Sequence, residues 1–148
     1  MDRITATKNV SLIRYLGETA VDAAAASTRA RFATMEKYQI YDDKRNEALR
    51  FLQAVDDGEQ PDDAGFPYLS AETGLSAATM IDLAYMWITM DATWKQVSAL
   101  IEKISIDAKI RIRQQHDQVR IDLIVTEAQA VLNALGDPPP SPPKIRPF

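Results

Sequence analysis

Cysteine is missing from this sequence altogether, and that absence removes disulfides, thiolate nucleophiles and cysteine-bound metals from consideration. Histidine occurs once, at His116, so a zinc site built on several histidines is impossible within one chain. Only copies of His116 meeting on a symmetry axis would make one. Glycine is scarce, five in 148 residues, and four of the five lie from Gly58 onward. A glycine costs a helix about 1 kcal/mol relative to alanine, so long glycine-free stretches favour helix. No run of about 18 uncharged apolar residues occurs, and no transmembrane helix is expected. Residues 1–9 carry Asp2, Arg3 and Lys8 and lack the apolar core of a signal peptide, which predicts a product made in the cytoplasm. An excess of positive charge is lacking too. A net charge of −4 gives no broad attraction to nucleic acid or to an anionic membrane, and neither is expected as a partner.

What is present is ordinary for a folded chain of one-domain length: 46% hydrophobic and 26% charged residues. Four segments can be told apart. Residues 1–55 hold one glycine, Gly17, no proline, and an alanine run from Ala23 to Ala26, which predicts a helix from about residue 5. Leu12, Leu16, Thr19, Ala23, Ala26, Ala30, Ala33 and Ile40 fall mostly at steps of three and four. That small-residue face would let another helix approach closely, in this chain or another. A bulkier stripe follows at Tyr38, Tyr41, Ala48, Leu52 and Val55. Residues 56–75 form an acidic connection with Gly58, Pro61, Gly65 and Pro67 as breakers and a short turn or helix near Tyr68. The connection lacks the alternating ligands and closing glutamate of an EF-hand, which argues against calcium.

Residues 76–135 contain neither glycine nor proline, with Ser76 as predicted N-cap. Met80, Leu83, Trp87, Met90, Trp94, Val97, Ile101, Ile104 and Ala108 occupy successive a and d positions, four heptads without a polar residue. A 3.5-residue period is the mark of a coiled-coil seam. The same register then meets Arg111, Gln115, Gln118 and Asp122, while a second stripe restarts one residue out of phase at Ile121, Ile124, Ala128, Val131 and Leu135. Residues 111–118 are therefore a discontinuity: a stutter, a kink or a change of packing partner. Unbroken, the segment would extend ~90 Å at 1.5 Å per residue. Residues 136–148 open on Gly136, a predicted C-cap, and continue as a proline-rich tail whose Pro138, Pro139 and Pro140 enforce extended geometry ahead of Ile145 and Phe148.

Catalytic signatures are few. The scattered glycines make no phosphate-binding loop, and there is no Gly-x-Ser-x-Gly elbow. Asp42, Asp43 and Glu47 place carboxylates at helical spacing, but such a cluster is usually a solvated face paired here with Lys44, Arg45 or Arg50. Arg111, Arg113 and Arg120 form a local basic patch, diluted by Asp117 and Asp122; salt bridges between helices or subunits are its expected use.

One resemblance can be placed on these residues. Tyr41 to Leu52, with Lys44, Arg45, Glu47 and Ala48, is followed by Pro67-Tyr68-Leu69, Ser70-Ala71-Glu72 and Gly74-Leu75-Ser76. Trp94, Ile101-Glu102 and Ala108-Lys109 come after. The pattern resembles a helical module of tail-associated proteins of tailed bacteriophages, and the likeness covers residues 41–112. Ser105 and Ile106 stand where that module has an arginine. The resemblance implies a structural role in the virion tail, at a tail fibre or the baseplate.

Together these readings predict an all-α protein, not an enzyme and without cofactor. Two long helices, residues 5–55 and 76–135, are expected as an antiparallel hairpin with coiled-coil packing. Met80, Leu83, Trp87, Met90, Trp94, Val97, Ile101 and Ile104 are its expected interface, against the first helix, against copies of itself, or both. A homo-oligomer, a trimer by the threefold habit of tail fibres, would complete the burial. Pro138, Pro139, Pro140, Ile145 and Phe148 would dock on other tail or fibre proteins. Two alternatives stay open: a tail-fibre assembly chaperone that leaves before the particle is complete, and a small regulatory protein that binds a host target.

Overall fold

In a computed structural model of the chain, which describes residues 3–32 and 35–135, the fold is all-helical, and no strand occurs among the described residues. The described residues form five α-helices: α1 (Arg3–Phe32), α2 (Met35–Asp56), α3 (Pro67–Glu72), α4 (Met80–Arg113) and α5 (Gln118–Ala134). Gly136 and the tail residues Pro138, Pro139, Pro140, Ile145 and Phe148 lie outside the described residues.

The first expected long segment contains α1 and α2, which bury their faces against different partners. The second breaks inside the predicted discontinuity. Gln114 and Gln115 donate back to the carbonyls of Arg111 and Ile112 and close the last turn of α4. Asp117 then opens α5 as its N-cap, its carboxylate accepting from the Val119 amide at 3.0 Å. The residue that seemed only to dilute a basic patch thus starts a helix. α4 itself begins four residues after Ser76. Its N-cap is Thr79, whose hydroxyl oxygen accepts from the Asp82 amide at 3.2 Å.

The helices fall into two units. The first contains α1, α4 from Val97 onward, and α5. Along α1, Glu18, Asp22 and Arg29 pair in turn with Arg113, Lys109 and Glu102 of α4. Each step forward on α1 is an equal step back on α4, so the two helices run antiparallel without slippage. Against α5 the order runs the other way: Gly17 lies at Ile121 and Val125, and Thr28 reaches Leu132. α1 and α5 are therefore parallel. Val21, Ala25, Ile101, Ala108, Ile112, Ile121, Ile124, Ala128 and Leu132 are buried between the three helices.

Gly17 matters here for its missing side chain. A Cβ at that position would stand 3.0 Å from Ile121 Cγ2 and 3.4 Å from Val125 Cγ2. The buried face of α1 is accordingly Gly17, Val21, Ala25 and Thr28. The face predicted from Leu12, Leu16, Thr19, Ala23, Ala26 and Ala30 is exposed instead. A glycine and a threonine do not read as a packing stripe, yet their small volume is what allows α5 to come close.

The second unit holds α2, a 3-10 turn at Asp63–Gly65, α3, and α4 up to Gln96. Its core gathers Ala48 and Phe51 of α2, Phe66, Leu69, Ala77, and Leu83, Ala84 and Trp87 of α4. Phe51 and Phe66 meet edge to face, with ring centroids 5.3 Å apart. α2 ends in a Schellman cap: Gly58, at φ 77°, donates to Val55 while Glu59 donates to the Ala54 carbonyl. Glu47, read as part of a solvated acidic face, is buried. Its Oε1 accepts from the Leu69 amide at 2.8 Å, so that α2 caps the first turn of α3.

Candidate functional site

The eight seam residues of α4 take several environments. Leu83 and Trp87 are buried in the core of the second unit, beneath α2. The Trp87 ring also lies 5.1 Å from the ammonium of Lys44, which pairs with Glu72. Met80 packs against the same cluster, and Trp94 meets Tyr38 of α2 with ring centroids 5.1 Å apart. Ile101 is buried in the first unit beside Ala25 and Leu132, with Val97 and Ile104 half-buried around it. Met90 is left 49% exposed. The chain's own helices thus take up much of the seam. Past Ile101 the buried positions are Ser105, Ala108 and Ile112, so the inward face has moved one residue from the Ile104–Arg111 register. In α5 the last stripe moves likewise, with Leu132 buried and Val131 exposed.

Charged groups are arranged for holding helices together. Arg113 donates to Glu18 at 2.7 Å through Nε, and Arg111 reaches Glu127 at 3.5 Å. Two of the three arginines of the basic patch are therefore in interhelical ion pairs. On α2, Arg45 approaches Asp91 at 3.7 Å, and Lys95 holds the same carboxylate at 2.9 Å. At the α4–α5 turn, Arg14 donates to the Gln115 carbonyl at 2.8 Å and lies 2.9 Å from His116 Nδ1. His116 is thereby engaged in joining α1 to the turn, with no hydroxyl or thiol nucleophile among its hydrogen-bond partners.

Among the described residues no group of three or more histidines or carboxylates is placed to hold a metal ion. Asp62 of the acidic connection instead accepts from the Gly65 amide at 3.1 Å and opens the 3-10 turn. An open surface depression of about 430 Å³, lined by Leu49, Arg50, Gln53, Ala54, Asp57 and Glu59, brings no nucleophile together with a base. No helix is long and apolar enough to cross a membrane among the described residues.

The surface carries more apolar bulk than a scatter of single residues. Tyr15 is 65% exposed and Leu12 and Leu16 are each more than half exposed on α1. Leu75, Tyr85, Val119 and Leu123 are exposed elsewhere. The α1 side chains were legible as an apolar stripe, but the signal that this stripe faces outward is the second, smaller stripe from Gly17 to Thr28 on the opposite side. Comparison with protein-family models, with curated proteins and with solved structures finds no match for this chain.

Proposed function

We propose that the chain is a non-enzymatic structural protein of a tailed-phage virion, an adaptor at the tail, baseplate or tail fibre that acts by helical oligomerisation. The observation that carries this reading is the apolar surface an all-helical chain leaves uncovered: Leu12, Tyr15 and Leu16 in one patch of α1, and Met90 in the middle of the heptad seam. Large exposed apolar areas mark surfaces that work by contact with other proteins. The resemblance of residues 41–112 to a tail-associated module gives that contact its setting.

In this reading the seam is shared. Leu83, Trp87 and Ile101 fix the chain's own helices, with Met80, Trp94, Val97 and Ile104 half-buried beside them, and the exposed Met90 is left for coiled-coil packing with a further chain. The proline-rich tail, with Ile145 and Phe148, docks on a neighbouring tail protein. Mass spectrometry of purified particles should find the chain in the virion at fixed copy number. Deleting residues 138–148 should leave the helical content intact and weaken capture of the tail or fibre protein. The second reading, a tail-fibre assembly chaperone, fits the same exposed surface. It takes the lead if the chain binds fibre subunits during assembly and is absent from finished particles.

A further inference from the structure

We infer that the outer face of α1 is a homodimer interface, on which a second copy of this chain lays its own α1 antiparallel. The inference rests on the reading of the chain as self-associating and names the surface. Leu12, Leu16, Thr19, Ala23, Ala26 and Ala30 are all exposed, and they follow steps of four and three without interruption. That is a strict 3.5-residue period, the repeat that keeps a seam against a partner helix. No charged side chain interrupts the stripe. Thr19 brings no unmet donor to it, because its hydroxyl donates to the Tyr15 carbonyl at 2.8 Å.

The occupant follows from the taper of the stripe. Its N-terminal end is bulky, with Leu12, Tyr15 and Leu16; its C-terminal end is small, with Ala23, Ala26 and Ala30. Two antiparallel copies set Leu12 against Ala30, Leu16 against Ala26 and Thr19 against Ala23, twice over about a two-fold axis. Bulk meets gap along the whole contact, and the helix axes keep one separation. Parallel copies would stack leucine on leucine and alanine on alanine and splay apart. A two-fold contact uses one patch on both partners, and this patch is self-complementary under that operation.

The flanks are already settled within the chain, where Arg29, beside the small end, pairs with Glu102 of α4. Asp22, next to the axis, is already held by Lys109 at 2.9 Å. One helix face is smaller than the roughly 800 Å² per partner of a standard stable interface, so the dimer should be concentration-dependent.

Sedimentation equilibrium of the full chain, carried into the millimolar range, should show a monomer–dimer equilibrium. Leu16→Glu should raise the dissociation constant about tenfold or more, since burying an unpaired carboxylate is costly, with unchanged circular dichroism because the position is exposed. A monomer throughout, a trimer, or a dimer indifferent to this substitution overturns the inference. The absence of cysteine allows a second readout that does not depend on that variant. Thr19→Cys with Ala23→Cys should cross-link two copies on mild oxidation, and Leu12→Cys alone should not; cross-linking through Leu12→Cys alone would show parallel copies and overturn it equally. Finding a monomer inside purified particles would overturn the dimer and leave the virion role standing. A dimer absent from particles would do the reverse.

Discussion

Three small or polar side chains do more for this fold than their types suggest. Gly17 is the point of closest approach between α1 and α5, and a larger side chain there meets Ile121 at once. Gly17→Leu should lower stability by about 1–3 kcal/mol or more through overpacking, seen as a drop in the urea midpoint. Thr28 is fully buried, and its hydroxyl lies 2.9 Å from the Ala24 carbonyl and 3.2 Å from that of Leu132. Thr28→Val keeps the shape and removes the donor, so chemical denaturation should register a loss of about 1 kcal/mol. Glu47 caps α3 from inside the core. Glu47→Ala should cost about 1–3 kcal/mol by stranding the Leu69 amide, while Glu47→Gln, which keeps an acceptor oxygen, should recover most of it. An equal loss in both variants would show that the buried charge, not the hydrogen bond, is what counts. None of these three roles could be read from the sequence. Each depends on which residue of a distant helix stands opposite.

At the scale of helices, the legible part was the helical class and the apolar seam. Leu83, Trp87 and Ile101 of that seam are in the core. The divisions were harder. The break at Arg113 was visible as a loss of register, but that loss alone does not distinguish a stutter from a reversal of direction. Asp117 as N-cap decides it. Which face of α1 the chain itself buries was not legible, because alanine-rich helices have two usable sides and the volume of the neighbour selects between them. Trp87 belongs to this scale, as the side chain that fastens α4 to α2. Trp87→Ala should cost about 3–5 kcal/mol and flatten the near-ultraviolet signal of the second unit. Trp94→Ala, at a half-buried ring, should cost less.

For the whole molecule, the function proposed above rests on a set of surfaces. The ion pairs from Glu18 to Arg113 and from Arg29 to Glu102 fix the register of α1, and with it the direction in which Leu12, Leu16 and the small residues beyond them face. Sequence periodicity could propose those residues as a contact stripe; only the fold could show that the chain leaves them uncovered. One feature of α4 reaches furthest. Between Trp87 and Ile101 no residue of this helix is buried, a run of more than three turns, and Thr89 and Thr93 there bond back to the carbonyls of Tyr85 and Thr89. A helix ordinarily frays from its tips; this one should loosen from its middle. Amide deuteration should therefore reach residues 90–96 ahead of the flanking turns, and dilute trypsin should make its first cut after Lys95, parting the polypeptide into two fragments of unequal mass.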